Sequence, residues 1–169
     1  MKKLTLRHDI NCSAEQFWKV FFDKEFNTSL YKNELNFPEF EVLEQTEKDN
    51  GEVFRRVRGK PKMNAPGPVK KLLGDSFGYE EEGRMDVAKK VWHFKLKPNT
   101  LADKLRTEGW VRVEAVSADK CRRVAEMELE AKIFGVGGIF ENFTEGEMKN
   151  GWDKSAVYMN KWLKEHPPA

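Results

Sequence analysis

Four polar residues interrupt otherwise apolar patterns and are the chain's candidates for chemistry: His8, Arg55, Tyr79 and Glu81. His8 shares the alternating face of Leu4, Leu6 and Ile10; Arg55 falls between Val53 and Val57; Tyr79 and Glu81 follow Phe77 at the same spacing. A buried charge is costly unless paired. Arg55 and Glu81 lie on neighbouring strand candidates and could pair, and with Tyr79 and His8 could grip a ligand hydroxyl or carboxyl group. A structural ion pair and a satisfied core histidine would account for the same residues. Of the other histidines, His93 is expected to point outward and His166 lies in the tail. Only one face of the run Glu80-Glu81-Glu82 can reach an interior. Cys12 and Cys121 are isolated in sequence and read as buried, inert thiols, not as a disulfide framework or a zinc site. No nucleophile elbow, metal-ligand spacing or phosphate loop is present, so no metal and no cofactor is expected.

The elements that must position these residues follow from periodicity. Lys3 to Asn11 alternates as a first strand, and Ser13 with Gln16 three residues on forms a capping-box pattern for a helix carrying Phe17, Val20, Phe21 and Phe26. A second short helix is expected over Asp23 to Leu30. Phe40–Val42 and Val53–Val57 flank Asp49-Asn50-Gly51, a hairpin turn signal. After a Pro- and Gly-rich break with a short helical piece, Val69 to Leu73, strands resume at Phe77–Asp86, Val91–Lys97, Trp110–Val116 and Arg122–Phe134. A long connection is expected from Pro98 to Thr107. Consecutive strands of this kind make an antiparallel sheet of about seven strands.

The last third of the chain supplies the other wall. Phe140, Thr144, Met148, Trp152, Ser155, Met159 and Trp162 recur every three or four residues on one face of a long helix. That face mixes rings and thioethers with small residues, which suits the wall of a cavity. Facing it, alternation presents Trp92 and Phe94, then Val111 and Val113, then Met127 and Leu129. The same positions would also fill a solid core. On the hollow reading, Gly151 and Ser155, beside Trp152, are where a bulky side chain would fill the space, and Ser155→Phe should lower ligand affinity with the fold intact.

Three irregular connections should lie at one end of the sheet. They combine apolar and basic residues: Lys70, Lys71, Leu72 and Leu73; Leu101 and Leu105; Val136 and Ile139. Leucines beside lysines suit transient contact with an anionic membrane; the alternative is a solvated loop whose leucines tuck back onto the core.

Composition bounds the partners. The 169 residues suit one domain, expected over 1–166 with a tail at 167–169. Charged residues make up 34% but balance to +2, and no basic and aromatic residues interleave as a nucleic-acid surface requires. Met1-Lys2-Lys3-Leu4 passes directly into strand alternation without the apolar core of a signal peptide. A cytoplasmic, monomeric protein is the expectation.

The order of elements resembles the START-like superfamily, also called SRPBCC, helix-grip or Bet v 1-like. The residues that carry the resemblance are the opening strand followed by Ser13-Ala14-Glu15-Gln16-Phe17-Trp18, the Pro66-Gly67-Pro68 segment and the closing helix. Pro66 to Gly74 is similar to a bacterial START-like family of unknown function, and the sterol-transfer domains of the Aster (VASt) type are more distantly similar. The resemblance implies an α+β helix-grip fold, with a curved antiparallel sheet wrapped around the C-terminal helix, two short helices after the first strand and an internal cavity. It implies a non-enzymatic binder or carrier of a hydrophobic small molecule, a lipid or sterol first. Two alternatives stay open: a cyclase or hydrolase using His8, Tyr79 and Glu81, and a protein-interaction domain of the chaperone-activator kind, in which Trp110 would matter.

Overall fold

Local signals start most elements. In the computed structural model, which describes residues 1–168, Ser13 Oγ accepts the Gln16 amide at 3.1 Å and opens helix α1 (Ala14–Phe21). Asp23 Oδ1 caps α2 (Lys24–Ser29) in the same way, through the Phe26 amide at 2.7 Å. The helix expected to end at Leu30 continues as a π-helical turn, Leu30–Glu34, closed by Leu35 N–H bonding to Leu30 O.

Around these lie strands β1 (Lys2–Ile10), β2 (Glu39–Glu47), β3 (Val53–Lys60), β4 (Tyr79–Asp86), β5 (Val91–Pro98), β6 (Leu105–Ser117) and β7 (Lys120–Ala131). Helix α3 (Gly67–Leu73) separates β3 from β4, and α4 (Gly137–Glu165) closes the chain. The sheet runs β1-β7-β6-β5-β4-β3-β2 and is antiparallel throughout. Each hairpin therefore places its neighbour beside it, and β7 returns to pair with β1. This is the helix-grip arrangement expected.

Several boundaries differ from the sequence reading: β2 runs on to Glu47 and β3 to Lys60, β4 starts at Tyr79, and the ends of β6 and β7 shift. β6 begins at Leu105, not Trp110, because Leu105, Arg106 and Thr107 pair with Ala131, Glu130 and Leu129. Gly109 does not break the strand: a Cβ there would lie 2.1 Å from the Glu126 carbonyl oxygen, so the glycine permits close approach of β7. At the other end, β7 stops at Ala131 and does not reach Phe134. The backbone turns at Gly135 (φ +80°), and Gly137 N–H bonds to Ile133 O at 2.8 Å. Ile133 still packs inward, but Phe134 is left fully exposed.

Burial divides into three clusters. One, beneath α1, α2 and the end of α4, holds Ile10, Phe17, Phe26, Met159 and Trp162. A second gathers Trp92, Phe94, Val111 and Met127 against Phe22, with Met148 and Trp152 from α4 beside them. The third lies under α3: Val69 and Leu73 on Ala131 and Phe140. No helix among the described residues is long and apolar enough to cross a membrane.

Candidate functional site

Between these clusters, sheet and helix do not meet fully. A cavity of about 260 Å³ lies between α4 on one side and β3, β4, β5 and β7 on the other. Strand alternation delivers Arg55, Tyr79, Glu81, Trp92, Phe94 and Leu129 to its wall, and the α4 face delivers Phe140, Met148, Trp152, Ser155 and Met159. Gly151 lines it as well, and a Cβ built there meets no atom within 4 Å. Leu73 and Leu105 line the end toward α3.

Four expected lining residues lie elsewhere. Val111 and Met127 are fully buried in the second cluster, where Trp18, Phe21 and Phe22 pack beside Trp92. Val113 packs against the first cluster. Alternation assigns a face correctly, but it does not show how far the rings of α1 reach across that face and fill it. The ring contacts Phe21–Trp92 at 6.0 Å and Phe22–Trp92 at 5.1 Å are that filling.

His8 is the fourth, and its bonds fix its state. Its Nδ1 is 3.0 Å from Arg123 Nη2, and an arginine only donates, so Nδ1 accepts. The remaining Nε2–H then donates to Asp153 Oδ1 at 2.7 Å, which is the neutral tautomer. Burial lowers the His8 pKa first; the Asp153 hydrogen bond opposes this and the Arg123 charge adds to it. His8 is therefore a spacer between Asp153 and Arg123. It does not join Tyr79 and Glu81 in the cavity.

Arg123 is the site residue the sequence reading missed. It is 2% exposed and lines the cavity. Its Nη1 donates to Ser155 Oγ at 3.0 Å, its Nη2 donates to Trp152 O at 2.8 Å, and its guanidinium stands 4.7 Å from the Trp152 ring. Burial pulls its pKa down to about 10. The signal was available: Arg123 shares a face with Ala125, Met127 and Leu129 and pairs in register with His8. Ser155, expected to tolerate a ring, is an anchor for Arg123. The position that can take a bulky side chain is Gly151.

Arg55 is 6% exposed. Its Nη1 donates to Phe21 O at 2.9 Å, and its guanidinium lies 4.9 Å from the Phe21 ring and 5.3 Å from that of Trp92. Nη2 stands 3.8 Å from Glu81 Oε1, an ion pair beyond hydrogen-bond length. Burial raises the Glu81 pKa and lowers that of Arg55, and each charge opposes the shift of the other. Burial likewise raises both phenols facing this pair, Tyr79 and Tyr31. Tyr31, also missed, comes from the π-helical turn and stacks on Phe40 at 4.2 Å. No strand or helix period marks it.

At the rim, Lys70, Lys71, Leu72 and Ile139 are exposed, while Leu101, Leu105 and Val136 are half-buried and Leu73 is buried. Cys12 and Cys121, far apart in sequence, are both buried in the first cluster as free thiols. Among the described residues no three His, Cys, Asp or Glu side chains cluster as metal ligands would.

Residues 5–163 match the family model described as Protein of unknown function (DUF2505). The chain belongs to this family. Its fold is START-like. It superposes on the Zhui aromatase/cyclase from Streptomyces sp. R1128 with a TM-score of 0.67 at 13% identity, over 99% of this chain and 96% of that one. Norcoclaurine synthase from Thalictrum flavum, in complex with dopamine and hydroxybenzaldehyde, gives 0.67 at 14% identity, over 99% and 89%. A START superfamily protein from Mycobacterium smegmatis gives 0.61 at 12%, over 96% and 97%. Identities this low carry the fold and no ligand. No curated protein matches the chain in sequence.

Proposed function

We propose that the protein binds a hydrophobic small molecule, of lipid or sterol class, between the sheet and α4, and carries, transfers or senses it. The observation that supports this most is the cavity itself, walled by Trp92, Phe94, Leu129, Phe140, Met148 and Met159. Burying ~10 methylenes is worth roughly 8 kcal/mol before ordering costs, enough for micromolar binding. Native mass spectrometry of protein purified from its host tests the reading: a co-purified lipid is expected. Protein that arrives empty and also fails to take up a neutral apolar fluorophore would overturn it.

One observation favours a second reading, an enzyme. Glu81 is a desolvated carboxyl with a raised pKa, beside two phenols in a cavity, as a general acid/base would be. The two fold relatives named for enzymes, an aromatase/cyclase and norcoclaurine synthase, are consistent with it. Turnover of an aromatic polyketide, abolished by Glu81→Gln, would establish this reading over the first.

The rim suits passage to and from a membrane. Leu72, Phe134 and Ile139 are exposed, with Lys70, Lys71 and Lys132 in the same segments. We propose that these residues touch an anionic bilayer during exchange.

A further inference from the structure

The charges lining the buried part of the cavity do not balance. Two guanidinium groups, Arg55 and Arg123, are 6% and 2% exposed there. One largely buried carboxylate, Glu81, 16% exposed, faces them, and it reaches only Arg55, at 3.8 Å. Arg123 is bonded to three uncharged groups: Ser155 Oγ, Trp152 O and the neutral His8 ring. The carboxylate on that side, Asp153, is half-exposed and stands behind His8. Nε of both arginines has no hydrogen-bond partner among the described residues. A dehydrated cation costs several kcal/mol unless an anion and its lone pairs compensate it. Apolar rings around Arg55 and Arg123 do this incompletely.

We infer that the molecule bound in the cavity carries an anionic oxygen head, a carboxylate on an apolar body, which enters tail-outward and supplies the charge that Arg55 and Arg123 lack. This inference rests on the binding reading above and narrows it: a neutral sterol would leave the imbalance in place. The phenols of Tyr31 and Tyr79 line the same pocket as further donors. Charged acceptors form shorter and stronger bonds to guanidinium than hydroxyls do, and they allow two-pronged contact. Glu81 competes for the same guanidinium. The ligand head therefore displaces its contact with Arg55, which at 3.8 Å is already longer than a hydrogen bond.

The test is displacement of the neutral fluorophore N-phenyl-1-naphthylamine by dodecanoate and by dodecanol at neutral pH, with wild type, Glu81→Gln and Arg55→Met. The naphthylamine should bind all three. Dodecanoate should displace it from wild type at about tenfold lower concentration than dodecanol, the equivalent of one charge-assisted bond. Glu81→Gln removes the competing carboxylate and should widen that ratio by about threefold or more. Arg55→Met should lower the ratio, with Arg123 keeping the remaining preference for the acid. Equal displacement by acid and alcohol in wild type, or a ratio unmoved by Glu81→Gln, overturns the inference while leaving the cavity reading intact. If Arg55→Met does not fold, the wild-type ratio and its response to Glu81→Gln still decide. If neither the naphthylamine nor either dodecyl compound binds wild type, the cavity reading falls and this inference falls with it.

Discussion

At the scale of single residues, the least replaceable group is Arg123. It is buried, it ties β7 to α4 through Ser155 and the Trp152 carbonyl, and it holds His8 in one tautomer. This linkage has a pH signature. The folded His8 pKa is below its ordinary 6.5, so between 6.5 and the folded value the unfolded chain binds the extra proton and the native state does not. His8 therefore removes stability as pH falls below 6.5. Glu81 acts in the opposite sense. Its folded pKa is raised above 4.5, so its contribution to stability falls as pH rises through that window. Thermal melts of wild type and His8→Gln at a series of pH values should separate the two: the wild-type midpoint should fall more steeply with acidification below 6.5 than that of the variant. Parallel curves would mean that burial beside Arg123 does not hold His8 neutral.

At the scale of elements, α4 is both wall and strut, and the two roles fall on different residues. Gly151 faces empty space, whereas Ser155 accepts from a buried guanidinium. Gly151→Leu should gain about 0.8 kcal/mol of helix propensity and cut binding of an apolar probe by about tenfold or more. Ser155→Phe should instead cost about 3 kcal/mol or more, because it strands Arg123 Nη1 and overpacks the site. Chemical denaturation beside probe titration distinguishes them. If Gly151→Leu leaves probe binding unchanged, ligands do not occupy the space beside Trp152. The π-helical turn is the other element with consequence. It directs Tyr31 toward the cavity, where a regular continuation of α2 would rotate successive side chains differently.

At the scale of the whole molecule, the apolar rim lies around the third cluster, at the α3 end of the cavity. Exposed Phe134, Ile139 and Leu72 have no partner in the chain's own core, and lysines stand in the same segments. Co-sedimentation with vesicles containing phosphatidylserine should exceed that with phosphatidylcholine alone. Phe134→Asp combined with Ile139→Asp should weaken it by about tenfold while leaving the melting temperature near wild type. Absence of sedimentation with either vesicle would remove membrane docking from the account without touching the cavity.

The sequence determined the local and periodic facts. Alternation places Leu6, Trp92, Phe94, Ala125 and Leu129 on the face that is buried, and the helical period of residues 140–162 places that stripe against it, because both periods are properties of the backbone. The Arg55–Glu81 encounter was legible for the same reason: antiparallel neighbours with a fixed register bring diagonal side chains within reach. Tertiary structure alone decided which part of that face is hollow. Whether a wall position is filled depends on side chains arriving from elsewhere in the chain, as the α1 rings reach Trp92, Val111 and Met127 but leave Leu129 and Gly151 open. It also decided that His8 bonds Arg123 and lies off the cavity wall, and that Tyr31 turns inward from an irregular turn. These are contacts between residues far apart in sequence, such as Phe22 with Trp92 and His8 with Arg123, or rotations within one turn, and no local period encodes either.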